Sequence, residues 1–169
     1  MKKEDYPTWQ YKSEDFTEMP TGSIGFVYRV VFSELNDDGD RYQYIGKKLA
    51  VSTEKKKVLI NGNKRKNHIR FTYKNKGGKR VDYEVLSKNT NWQSYIGSSE
   101  LIEELKLTPM YREILHLCSR KDCLSYYEQK EMFTHEALEN DAYLNSNIGG
   151  TYYKQATIKY KEEVEDEQS

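Results

Sequence analysis

The sequence predicts an α+β domain: a small mixed or antiparallel sheet flanked by helices, with a basic β-hairpin subdomain inserted into it. Three observations carry this. Runs of β-branched and aromatic residues, bounded by Asn, Asp and Gly clusters, dominate the chain before residue 90. Helical spacing of apolar residues begins only after Ser98. Within the first of these regimes, positive charge is concentrated in one segment.

Residues 1–23 contain Pro7 and Pro20 and show no steady period, so they read as an irregular arm. IGFVYRVVF at 24–32 reads as a strand, NDDGD at 36–40 as a turn, and RYQYIG at 41–46 as the partner strand of a hairpin. The insertion, 47–90, holds two further hairpin signals at Asn61-Gly62 and Gly77-Gly78. SSELIEELK then places Ser98 as a cap, acids in the first turn, and Leu101, Ile102 and Leu105 on one helical face. Tyr111 to Leu117 reads as a strand. Asp122 is expected to cap a helix running through CLSYYEQKEMFTHEALEN until NSNIGG stops it. The main domain is thus expected over 24–150, with a terminal strand at 151–160 and a disordered acidic tail at 161–169.

The chain of 169 residues holds 27 Lys and Arg against 27 Asp and Glu, but the balance is uneven. From Lys47 to Arg80, 13 basic residues stand against Glu54 alone, a local +12, so the other 135 residues carry −12. Such a concentration is the footprint of a phosphate-backbone contact. Its expected carriers are Lys48, Lys55, Lys56, Lys57, Lys64, Arg65, Lys66, His68, Arg70, Lys79 and Arg80. A solvated hairpin is also charged, but this excess is more than solubility needs. No apolar run reaches membrane-spanning length, and MKKEDYPTWQ is not a secretory signal. Cys118 and Cys123 read as reduced thiols of a cytoplasmic protein. The spacing of His116, Cys118, Cys123 and His135 fits no zinc pattern.

The tripeptide Tyr-Ile-Gly occurs twice, at 44–46 and 95–97. Phe26-Val27-Tyr28 on one strand followed by Tyr44-Ile45-Gly46 on the next resembles the paired motifs of the GIY-YIG nuclease superfamily. YREILHLC, then SRKDCLSYYEQ with Glu128, then AYLNSNIGG with Asn145 and Asn147 follow in that family's order. The combination of YIGKK, a basic insertion, WQSYIGSS, YREIL, YYEQ and NSNI resembles the small free-standing homing endonucleases of tailed phages, over residues 24–150. The resemblance implies metal-dependent hydrolysis of phosphodiester bonds in double-stranded DNA, in the cytoplasm of a bacterial host. It implies one Mg²⁺ or Mn²⁺ held by Glu128, with Tyr28 and Tyr44 orienting or deprotonating the water. A tyrosine titrates near ~10, so it becomes a base only beside a metal or cationic side chains.

The resemblance fails at one place. The family carries an arginine on the helix soon after its YIG, and neither Glu54-Lys55 nor Leu105-Lys106 supplies it. The candidates to replace it are Lys47 or Lys48 beside YIG, Arg112 on the later strand, and Arg65, His68 or Arg70 in the insertion, with Lys47 and Arg112 the expected substitutes. Gly97, Ser98 and Ser99 stand at a predicted helix start, so Tyr95 and Ser98 are expected to meet phosphate; helix capping is the alternative. The competing functions are a catalytically inert nucleic-acid-binding protein of the same fold, a restriction-type endonuclease, and a protein-interaction domain that would leave the +12 segment unexplained.

Overall fold

The computed structural model describes residues 6–57, 69–74 and 80–149, with the backbone alone described for strand residues within 53–87. Its strands are β1 (Trp9–Tyr11), β2 (Glu14–Phe16), β3 (Gly25–Leu35), β4 (Arg41–Leu49), β5 (Val51–Lys57), β6 (Ile69–Lys74), β7 (Arg80–Asn89) and β8 (Pro109–Cys118). A 3₁₀ turn (Trp92–Ser94) and helix α1 (Glu100–Glu104) precede β8, and helix α2 (Lys121–Thr134) follows it. Contacts divide the chain into two units: Val51–Thr90, and the remainder on either side of it.

The larger unit is built on a five-stranded sheet in the order β2-β1-β8-β3-β4. β1 and β8 run parallel and the other neighbours antiparallel, so the sheet is mixed and the α+β class holds. The segment read as an irregular arm in fact supplies two strands. Their two-residue turn places Lys12 and Ser13 at φ 53° and 68°, where Asn-Gly is the usual signal. Trp9, 1% exposed, ties this hairpin to the core.

β3 lies between β8 and β4, and its pleat sorts the core. Phe26, Tyr28, Val30 and Phe32 join Trp9, Trp92, Ile102 and Ile114 on one side. Val27 joins Cys118, Cys123, Leu124 and Tyr127 beneath α2 on the other. The rings of Phe26 and Tyr28 meet Trp9 edge-on at 5.1 and 5.3 Å. Burial of each such side chain contributes about 1.5–3 kcal/mol. Both cysteines are buried and unbridged, and burial pushes the Cys118 thiol up to about 12.

α1 is short, and its N-cap is Ser99 without a side-chain capping bond. The cap expected of Ser98 is therefore corrected. α2 begins after Arg120, and Asp122 accepts from the Cys123 amide while pairing with Arg120. The helix ends at Thr134 rather than running to Asn140. Glu136 turns left-handed at φ 50°, and bonds from Ala137 N to Met132 O and from Glu136 N to Phe133 O close the end in a Schellman pattern.

The second unit is an antiparallel sheet in the order β5-β7-β6. It begins at Val51 rather than Lys47, because Lys47 and Lys48 continue β4 in register with Val27 and Phe26. β5 pairs with β7 instead of with the strand that follows it. Lys55, Lys56 and Lys57 fall on β5, Arg70 on β6 and Arg80 on β7. The turn at Asn61-Gly62, the connection at Gly77-Gly78, residues Lys64, Arg65, Lys66, His68 and Lys79, and everything from 150 onward lie outside the described residues. Among the described residues, no helix is long and apolar enough to cross a membrane.

Candidate active site

β4 is the edge strand, and successive residues on it point to opposite faces. Tyr44 and Gly46 share the face of Tyr28, whereas Lys47 turns to α2. There the Lys47 Nζ donates to Glu128 Oε2 at 2.6 Å and to Ser125 Oγ at 3.1 Å. Residues from both faces line one cavity of about 570 Å³: Tyr44, Lys47, Ser98, Glu128, Asn145 and Asn147. Glu100 and Glu104 of α1 line it as well.

The free edge of β4 is covered by the chain after α2. Gln43 bonds Ala142 and Leu144 through its backbone, and the Asn145 carboxamide takes over at Ile45. Its Oδ1 accepts from Ile45 N at 3.1 Å and its Nδ2 donates to Ile45 O at 2.7 Å. The side chain thus imitates a strand partner and fixes the edge beside Tyr44. Asn147 stays exposed and bonds only Ser146 among the described residues.

The two tyrosines of the first hairpin are not equivalent. Tyr44 reaches the cavity, where its hydroxyl meets the Ser98 hydroxyl at 3.1 Å. Tyr28 is 1% exposed, does not line the cavity, and lies behind Tyr44 with ring centroids 6.2 Å apart. Burial, chiefly, holds the Tyr28 phenol well above its ordinary value, with the nearby Tyr95 and Tyr44 adding to it. Burial also raises Tyr44, against the opposing Ser98 hydrogen bond. Both therefore stand as neutral phenols at physiological pH.

Arg112 is not brought to this cavity. It is 3% exposed, donates from Nε to Pro7 O at 2.6 Å and from Nη1 to Gln93 O at 2.7 Å and Tyr95 O at 3.2 Å, and lies 4.7 Å over Trp9. It staples the chain start and the 93–95 loop to β8. Replacing it with Met is expected to lower stability by about 2–4 kcal/mol in urea denaturation, because three charge-assisted hydrogen bonds disappear. Lys48 is similarly occupied: its Nζ donates to Asn91 Oδ1 at 3.2 Å and sits 3.9 Å over the Tyr95 ring.

No motif points to Glu131. His116 on β8 approaches its Oε1 at 2.5 Å, and His135 approaches its Oε2 at 3.5 Å. The His116 hydrogen bond, first, holds the Glu131 carboxyl below the usual carboxylate range. A depressed native pKa means stability that is present above the unfolded value and is lost as pH falls through the native one. Glu131→Gln is accordingly expected to flatten the acid limb of a Tm-against-pH profile, with the gap from the native protein closing at low pH.

Metal ligation is limited to oxygen donors here. Among the described residues no three His, Cys, Asp or Glu side chains converge as a metal cage. Glu128 offers one carboxylate into an open cavity with Asn147 and Ser98 nearby. That set suits a hard divalent ion whose shell is completed by substrate phosphate and water.

An antiparallel hairpin presenting Tyr28 and Tyr44-Ile45-Gly46, backed by a helix that delivers a carboxylate to the same strand edge, defines a GIY-YIG nuclease-type domain. Residues 9–148 match the family model described as "Putative endonuclease segE, GIY-YIG domain", and the chain belongs to that family. It is a family of endonucleases, so the substrate class is nucleic acid. No curated protein and no solved structure gave a match. The match takes in β1 and β2, which the motif-based span of 24–150 leaves out.

Proposed function

We propose that this chain is a metal-dependent endonuclease acting on phosphodiester bonds of double-stranded DNA. The observation that carries the reading is the convergence of a helix carboxylate, a strand ammonium and a tyrosine hydroxyl on one open cavity: Glu128, Lys47 and Tyr44. Hydrolysis needs an oriented water, neutralisation of charge on the phosphoryl oxygens and help for the leaving group. Bound Mg²⁺ or Mn²⁺, held by Glu128, supplies Lewis-acid polarisation and an acidified water. Lys47 meets the phosphate as a point charge where relatives use the helix arginine, without an arginine's bidentate fork. Tyr44 orients the water, and Tyr28 buttresses it from behind. The Lys- and Arg-rich 47–80 segment grips the DNA backbone.

Supercoiled plasmid incubated with the protein in Mg²⁺, in Mn²⁺ or in EDTA tests this. Cutting in the ions and none in EDTA is the expected result. Binding without cutting would make the chain an inert nucleic-acid binder, and neither would leave a protein-interaction domain. Homing and restriction-type roles share this chemistry and are separated by mapping cleavage sites on phage and host DNA. The backbone grip is lost as an idea if neutralising the basic segment leaves affinity and its salt slope unchanged.

A further inference from the structure

The second Tyr-Ile-Gly has no place in the chemistry above, yet its surroundings are built with care. One end of its segment is fastened to the sheet. Trp9 Nε1 donates to Trp92 O at 3.0 Å, and Arg112 holds the carbonyls of Gln93 and Tyr95. Lys48 adds its bond to Asn91 and its position over the Tyr95 ring. The other end reaches the first hairpin. The Tyr95 ring meets the Tyr28 ring edge-on, at 5.9 Å and 88°. Ser98 bonds Tyr44, and Gly97, at φ 139°, lets the backbone pass so close that an added Cβ would lie 3.1 Å from Tyr44 Cδ1.

We infer that Ser98 is a positioning residue, and that the segment of the second Tyr-Ile-Gly is a clamp fixing where the Tyr44 hydroxyl points. This rests on the nuclease reading above. A phenol flips its O–H between two directions in the ring plane at little cost, so an orienting tyrosine needs a partner that selects one. Ser98 is that partner for Tyr44. A phosphate contact, the other role open to this segment, is opposed by Glu100 and Glu103 in the first turn of α1, a helix of five residues with little dipole to offer. Glu100 and Glu104 also face the active cavity itself.

The test uses the full chain with Ser98→Ala and Ser98→Thr. Ser98→Ala is expected to lower kcat about tenfold with KM for plasmid unchanged, since one hydrogen bond is lost at a reacting group. Ser98→Thr, which keeps the hydroxyl, should retain kcat. A DNA-contact role would instead raise KM with kcat kept, and that outcome overturns the clamp. A second readout needs no cleavage. The Ser98 bond favours the Tyr44 phenolate, so Ser98→Ala should move a tyrosine ionisation further upward in an ultraviolet alkaline titration. A native protein that does not cut overturns the nuclease proposal; an unmoved titration overturns the clamp.

Discussion

Replacing Glu128 with Gln is expected to reduce DNA cleavage by about a hundredfold to a thousandfold, with a melting temperature close to that of the native chain. Glutamine keeps the volume and the helix propensity of the side chain, so α2 packs as before. What disappears is the negative charge that α2 offers a hard divalent ion, leaving in the cavity, among the described residues, only Glu100 and Glu104 of α1. Lys47 loses its ionic partner, but its side chain is 39% exposed and an ammonium so placed is well solvated. Pairs of this exposure contribute about 0–1 kcal/mol, so the stability cost is small. Plasmid nicking time courses beside a thermal melt read both quantities, and retained DNA affinity should accompany the lost cutting. Full activity in the variant would remove Glu128 from the mechanism. A large drop in Tm would make its role structural.

How much of the fold is legible in residues alone depends on whether local chemistry and tertiary packing agree. They agree at the β3–β4 turn. Asn36 Oδ1 accepts from the amides of Asp38 and Asp40, and Gly39 takes φ 86°, so NDDGD announces what it does. They disagree at β1–β2, where Lys12 and Ser13 occupy left-handed positions that favour Asn and Gly. There the burial of Trp9 and pairing with β8 override local preference, and no periodicity over so few residues could reveal it.

The candidate site divides in the same way. Glu128 and Lys47 are legible because each adjoins a motif, but their mutual bond depends on α2 crossing the β4 edge. Arg112 misleads because an arginine on a strand ordinarily reaches solvent, and its three carbonyl acceptors come from the chain start and from the loop after the insertion. Asn145 stands where its motif predicts, and its carboxamide bonds Ile45 as a piece of strand edge, a contact the motif does not announce. Glu131 has only its i,i+4 spacing from His135 as a signal, since the closer partner, His116, lies on β8.

Gly46→Ala should be nearly as damaging to activity as the loss of Glu128, for a different reason. A Cβ at Gly46 would lie 2.6 Å from the Tyr28 hydroxyl oxygen, 2.8 Å from its Cζ and 2.8 Å from Tyr44 Cε1. Real Cβ atoms do not approach so closely, so both rings must move. Tyr28 cannot yield easily: it is wedged against Trp9, Phe26 and Tyr95. Tyr44 is confined on its other side by Gly97. One methyl group therefore displaces both hydroxyls, and a shift near 1 Å at reacting groups costs about a hundredfold in rate. Overpacking of this kind also lowers stability by about 1–3 kcal/mol. Cleavage kinetics with urea denaturation measure the two effects together. If Gly46→Ala cuts at the native rate, the two tyrosines are packing residues, and the glycine of the first Tyr-Ile-Gly has no part in placing the chemistry.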